Sequence, residues 1–254
     1  ITSDAELKEI LFSILVEFDS FCRLHSIPYY LASGTCLGAV RHGGFIPWDD
    51  DIDVRIPRPH YERFIALASG LLANRYKVLA METGSDHIYP FAKLVDTHTI
   101  CIEKRIRKNA EDGIWVDVFP VDGCADPESI EFKKNQKKIK RLRGLLALSS
   151  TAAFMSDSWI KTLPRLVCVG ICKILGPRFF LSRIVSLAKK YDYDASEYVT
   201  LAVWGYGSRE CTPKSVVDEL IEKQFEGHSF YIPKNYDAYL TRMYGDYMTP
   251  PSKE

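Results

Sequence analysis

Charge of neither sign is in excess: 33 Lys and Arg stand against 33 Asp and Glu among 254 residues. Net charge therefore gives no reason to expect a nucleic acid, and no nucleic-acid-binding module is recognisable. No apolar run is long enough to span a bilayer. Cysteine is sparse and irregular, seven in all, which speaks against a disulfide framework. The absence of any CxxC pair removes the usual start of a zinc site. Free thiols suit a reducing compartment, so a cytoplasmic location is expected. No GxSxG elbow is present, and no GKS or GKT. Internal repeats and low-complexity tracts are missing too. The first residue is Ile1, which reads as a start after removed residues.

What the chain does have is an ordinary globular composition, 46% hydrophobic and 26% charged. Its length serves one sizeable core or two small lobes. Residues 4 to 24 repeat apolar side chains at helical spacing (Leu7, Leu11, Ile14, Leu15, Phe18), with Asp4 or Ser3 as the cap. A short strand is expected at 29 to 32, then a turn at Ser33-Gly34-Thr35 and a short helix from Thr35 to Arg41. Residues 51 to 56 alternate with period two, which is the strand signature. A second helix is expected over 58 to 76. Strands follow at 78 to 82, 89 to 95 and 99 to 104. Residues 113 to 119 alternate again, with Ile114, Val116 and Val118 on one face and Trp115, Asp117 and Phe119 on the other. Pro120 and Asp122-Gly123 are expected to stop that strand. Helices are expected from 128 to 148, 159 to 175 and 179 to 191, the first strongly basic. The middle one reads as buried core more than as an interfacial helix. A strand at 198 to 204 and a helix at 233 to 244 close the chain.

The stretch from Ser33 to Val54 concentrates the chemistry. On a strand, Asp51 and Asp53 point to the same face, and two such carboxylates repel unless a cation lies between them. Oxygen ligands suit Mg²⁺, or Mn²⁺ in its place, held by one or two carboxylates plus substrate phosphates. Asp117 joins them if its strand is a neighbour. Asp49 also shares the Asp51 face, so an Asp49/Asp51 pair stays open at this level. Ser33, Gly34 and Thr35 fit a phosphate cradle at a helix start, where free amides and the dipole favour an anion. Arg41 is either a phosphate fork or a surface ion pair. Lys93, polar within an apolar strand, is a second phosphate candidate. His42 is a weaker candidate beside the acids, and of the thiols only Cys36 has a plausible positive niche.

GTCLGAVRHGGFIPWDDDIDV resembles the hallmark of the LicD family, the phosphocholine transferases of bacterial surface glycans, which are related to fukutin. GIWVDVFPVDG at 113 to 123, YPFAKLVDTHT at 89 to 99, WGYGSRE at 204 to 210 and the segment from 232 to 251 resemble its further motifs. The resemblance is weakest from about 128 to 195. It implies an α/β (α+β) fold like that of nucleotidyltransferases, a small mixed sheet flanked by helices. It implies Asp51, Asp53 and Asp117 as the metal-binding and catalytic carboxylates, with Thr35 where a serine is usual. The implied reaction moves a phospho-alcohol from a CDP-alcohol donor to a sugar hydroxyl of a surface glycan or its lipid-linked precursor, such as lipopolysaccharide, teichoic acid or capsule.

Two alternatives differ from it. A nucleotidyltransferase would be attacked at the α-phosphate of an NTP. A non-catalytic scaffold would bind no nucleotide with Mg²⁺. The organisation expected is one catalytic unit, with a core at 1–127, a mostly helical lobe at 128–195 and a C-terminal part at 196–254 completing the site. The basic helix at 131–145 would allow peripheral contact with the inner face of a membrane.

Overall fold

The computed structural model describes residues 3–71, 75–84, 87–101, 113–150, 159–205 and 207–250. Its first element is helix α1, Asp4–Leu24, capped by Ser3, whose hydroxyl accepts from the Glu6 N–H at 3.2 Å. The two-residue strand β1, Tyr30–Leu31, leads to α2, Ser33–Arg41. Strand β2 is Asp53–Pro57 and helix α3 is Arg58–Leu71. Strands β3, Tyr76–Leu79, and β4, Ala92–Asp96, come before the long β5, Trp115–Cys124. Helices α4, Ile130–Ser150, α5, Trp159–Leu175, and α6, Pro177–Ala188, form a helical lobe. The tail holds β6 (Tyr198–Thr200), β7 (Thr212–Pro213), the hairpin β8–β9 (Leu220–Phe225 and His228–Pro233) and α7 (Tyr236–Tyr244).

The sheet order is β1-β2-β5-β4-β3, with β6 on the far end of β5 and β7 beyond it. β2 and β5 run parallel, and the other neighbours are antiparallel. This is the expected mixed sheet flanked by helices. Alternation then divides the residues of β5 between two cores. Val116 and Val118 pack with Leu11, Ile14 and Phe18 of α1 and Phe64 of α3. Phe119, on the opposite face, packs with Phe91, Ile139 of α4 and Phe180 and Ile184 of α6.

Several expected limits move. β2 begins at Asp53 rather than Asp51, although the Asp117 N–H still reaches the Ile52 carbonyl at 3.0 Å. The three acids before it lie outside the sheet and follow a turn in which the Asp49 N–H bonds the Ile46 carbonyl. β5 does not stop at Pro120 or Asp122. The Asp117 N–H points to β2, so alternation aims the missing donor of Pro120 at the opposite edge. There β4 ends opposite Val118 and β6 begins opposite Asp122. Pro120 thus falls in a gap where no partner requires an N–H.

The other strands are displaced by a few residues, and the strand expected at 198 to 204 ends at Thr200. The closing helix starts at Tyr236 rather than at 233, and the one before it ends at Ala188 rather than 191. Of the strand expected at 99 to 104, residues 102 to 104 lie outside the described residues, and Thr99 and Ile100 are not in a strand.

Arg58 ties the start of α3 to β5 through a buried two-pronged pair with Asp122, at 2.6 and 3.0 Å. Such a pair is costly to break from one side, because the remaining charge stays buried. We expect Arg58→Ala to lose about 3–5 kcal/mol of stability. The check is the urea unfolding midpoint, and a change within experimental error would show that the Asp122 charge reaches water.

Candidate active site

The parallel register of β2 and β5 sets Asp53 opposite Asp117, and the antiparallel register of β4 sets Lys93 opposite Asp117. Directly opposed residues project to one face of a sheet. Asp53, Asp117 and Lys93 therefore form a row across three adjacent strands. Their chain neighbours Val54, Val118 and Leu94 fill the core on the other face.

Asp53 is held from two sides. Its backbone N–H donates to Thr35 Oγ1 at 2.9 Å, and its carboxylate is hydrogen-bonded to the Ser33 side chain. Ser33 itself has φ +47°, a left-handed conformation that side chains rarely adopt. The Ser33 N–H donates to the Tyr239 hydroxyl at 3.1 Å. The expected turn at Ser33-Gly34-Thr35 is thus the first turn of α2, directed at the acid row. Gly34 lets the acidic loop come close: a Cβ there would stand 2.5 Å from Asp49 Oδ2 and would displace that side chain.

The carboxylates feel one another. Burial, then the charges of Asp51 and Asp117, push Asp53 well above its usual range. Burial, then Asp51 and Asp50, push Asp49 up to about 6. Burial and Asp50 raise Asp51, which lies in the exposed segment before β2. Among the described residues no three His, Cys, Asp or Glu are already gathered as a metal-binding group. The donor set still fits a hard cation: its members are oxygen ligands that resist ionising together, and Mg²⁺ needs only one or two of them beside substrate oxygens.

Lys93 is 2% exposed, with its Nζ 3.4 Å from the Trp115 ring centre and 4.2 Å from that of Tyr89. Trp204 stacks edge-on against Tyr89, extending the aromatic group. Arg41 stands at the opposite end of α2 from Ser33 and donates to the Tyr247 carbonyl at 2.7 Å. His42 caps that same distant end. Cys36 is buried, and desolvation raises its thiol to about 12, so it is no nucleophile.

Compared with known proteins, residues 26–141 match the family model described as LicD/FKTN/FKRP, nucleotidyltransferase domain. The chain is also 32% identical over 258 residues to the lipopolysaccharide cholinephosphotransferase LicD of Haemophilus influenzae, covering 98% of this chain and 92% of that relative. The chain belongs to the LicD family. A shorter match, 38% identical over 63 residues, joins it to an uncharacterized protein of Rickettsia typhi, covering 21% of this chain and 20% of that protein. The region matched by the LicD model contains the whole row of Asp53, Asp117 and Lys93, and Ser33 to Thr35 as well.

Outside that region, α7, which lies in the motif-like segment from 232 to 251, supplies further residues to the site. Tyr239 holds Ser33, and Tyr244 lies near enough to Asp53 and Asp49 for their charges to raise its hydroxyl pKa further, after burial. Arg55, one alternation after Asp53, forms a buried ion pair with Glu210. Lys8 of α1 reaches the Ile46 and Pro47 carbonyls and so steadies the acidic loop. The motif-like segments at 204 to 210 and 232 to 251 contain Glu210, Tyr239 and Tyr244, but no local period shows what these residues touch, because the contacts span tens to hundreds of positions.

Two outcomes follow from this geometry. Thr35→Ala leaves the Asp53 N–H without its acceptor and is expected to cost about 1–3 kcal/mol, whereas Thr35→Ser retains most of it. Chemical denaturation of both variants checks this, and equal losses would show that the methyl matters more than the hydroxyl. The second concerns pH. A folded-state pKa near 6 for Asp49, against an ordinary 3.8, means that the folded chain keeps a proton the unfolded chain releases. Stability from this group is therefore full below pH 4 and falls as pH rises through 6. In chelator, Asp49→Asn should match the wild type at pH 4 and exceed it at pH 7. Solvent screening at this half-buried site keeps the gain to about 1 kcal/mol.

Proposed function

We propose that this enzyme transfers a phospho-alcohol, phosphocholine in the first instance, from a CDP-alcohol to a sugar hydroxyl of a lipopolysaccharide-type surface glycan. One observation carries the reading: two strand-paired carboxylates and a lysine share one sheet face beside the start of α2. Phosphoryl transfer needs that combination of anion-ready amides, hard oxygen ligands and a cation. The activity in the relative's name, cholinephosphotransferase, points the same way.

In this reading Asp53 and Asp117, with Asp51 from the loop, would hold Mg²⁺. The ion would draw charge from the phosphoryl oxygens. Gly34 and Thr35, in the first turn of α2, present amides to the donor phosphates, while the Ser33 amide is held by Tyr239. Lys93 offsets charge that develops on the departing CMP. The acceptor oxygen forms its bond to the β-phosphorus as the bond to CMP breaks. The hydroxyl proton passes to a site carboxylate.

The test is product analysis with Mg²⁺, CDP-choline and a glycan acceptor. CMP and a phosphocholine-bearing glycan are expected. Pyrophosphate released from an NTP would assign the chain to the nucleotidyltransferases instead. Asp53→Ala and Asp117→Ala should each lower turnover at least about a hundredfold, or ~2.7 kcal/mol of transition-state stabilisation, with circular dichroism unchanged. Turnover that survives either change would remove the carboxylates from the mechanism.

A further inference from the structure

α5 carries its apolar side chains outward. Of its residues from 166 to 175, Leu166, Val167, Ile171, Ile174 and Leu175 are exposed, Ile174 at 87%. Gly170 is exposed among them. At 100° per residue these six positions fill one continuous arc of about half the helix circumference, and none is polar. Val169 and Cys172 face the other way and are buried. A surface helix of a water-soluble domain normally shows the reverse pattern, with its polar side out. Phe179, near the start of α6, is a further exposed apolar residue beyond the end of α5.

The helix packed most extensively against α5 is α4. It carries seven Lys and Arg and one acid, Glu131. Lys134, Lys137, Lys138, Lys140 and Arg141 are exposed on it. Since the whole chain is neutral, this is a segregated local charge. A groove of about 700 Å³ runs beside α4, lined by Lys137, Lys140, Arg143 and Trp204 among others. Among the described residues no helix is long and apolar enough to cross a membrane.

We propose that the α4–α5 lobe docks on the surface of an anionic lipid bilayer. The apolar arc of α5 enters the boundary between headgroups and acyl chains, and the lysines of α4 meet the anionic headgroups. Charge selects this occupant. A second copy of the chain would cover the apolar arc but would bring another row of lysines toward the first. The inference goes beyond the transfer reaction, because neither helix supplies a residue of the acid row.

The test reads lipid binding without turnover, so it stands or falls apart from the transfer chemistry. The full chain is sedimented with phosphatidylcholine vesicles, with and without phosphatidylglycerol, at low and high salt. Binding is expected with phosphatidylglycerol and is expected to weaken as salt rises. Ile171→Ser/Ile174→Ser and Lys134→Glu/Lys138→Glu should each lose about tenfold or more in vesicle affinity, the scale set by two inserted side chains or two basic residues. All four positions are exposed, so circular dichroism should stay unchanged. Absence of pelleting with either lipid would overturn the proposal. So would equal pelleting of the wild type and both variants. A wild-type dimer that Ile171→Ser/Ile174→Ser dissociates, with no vesicle binding, would assign the face to self-association.

Discussion

The parallel pairing of β2 with β5 is the contact on which the site depends. It brings Asp53 and Asp117 to adjacent places on one sheet face, where their charges oppose each other. Backbone hydrogen bonds and the apolar core behind the sheet impose this proximity against electrostatic cost. Val54 and Val118, on the reverse face, are fully buried, so a slip of one residue would turn valines toward the acids and aspartates toward the core. Burial first, then the charges of Asp51 and Asp117, raise the proton affinity of Asp53. A cation would relieve that opposition, which is why the arrangement reads as a site and not as packing.

Around that pairing the structure supplies restraints at each end. α2 contributes Thr35 and the strained Ser33, and α7 holds Ser33 through Tyr239. Arg58 and Asp122 lock the helix after β2 to the far part of β5. Arg55 and Glu210 make a second buried link, from β2 to the C-terminal part. The helical lobe attaches to the same strand through Phe119. β5 is therefore common to the acid row, the main core and the lobe. Its passage through Pro120 is permitted because two different strands pair with its two halves.

Where local pattern carried the physics, the sequence was readable. α1 occupies 4 to 24 as expected, since its apolar side chains repeat over more than five turns. The alternation from 113 to 119 divided the faces of β5 correctly, because two packed layers demand it. The hairpin of β8 and β9 was not recognised. Its two-residue turn is Glu226-Gly227, both with positive φ, and Glu is an unusual first residue for that turn. α5 was expected to be buried on its apolar composition. Composition reports how apolar a helix is, and only its neighbours decide which side they cover.

The sequence alone determined the types of chemistry present: clustered aspartates, a hydroxyl-bearing turn before a short helix, and a lysine within an apolar strand. It also determined the face of Asp117 within β5, because side-chain direction follows from backbone period, but not that of Asp51, which lies before β2 where no strand period applies. Tertiary structure decided which faces meet. Strand order placed Lys93 beside Asp117 and Asp117 beside Asp53, and it left Arg41 at the far end of its helix. Those choices depend on hydrogen bonds between segments far apart along the chain, 24 residues for Lys93 and Asp117 and 64 for Asp53 and Asp117. No local period encodes such pairings, since their free energy arises only when the whole sheet closes over its core.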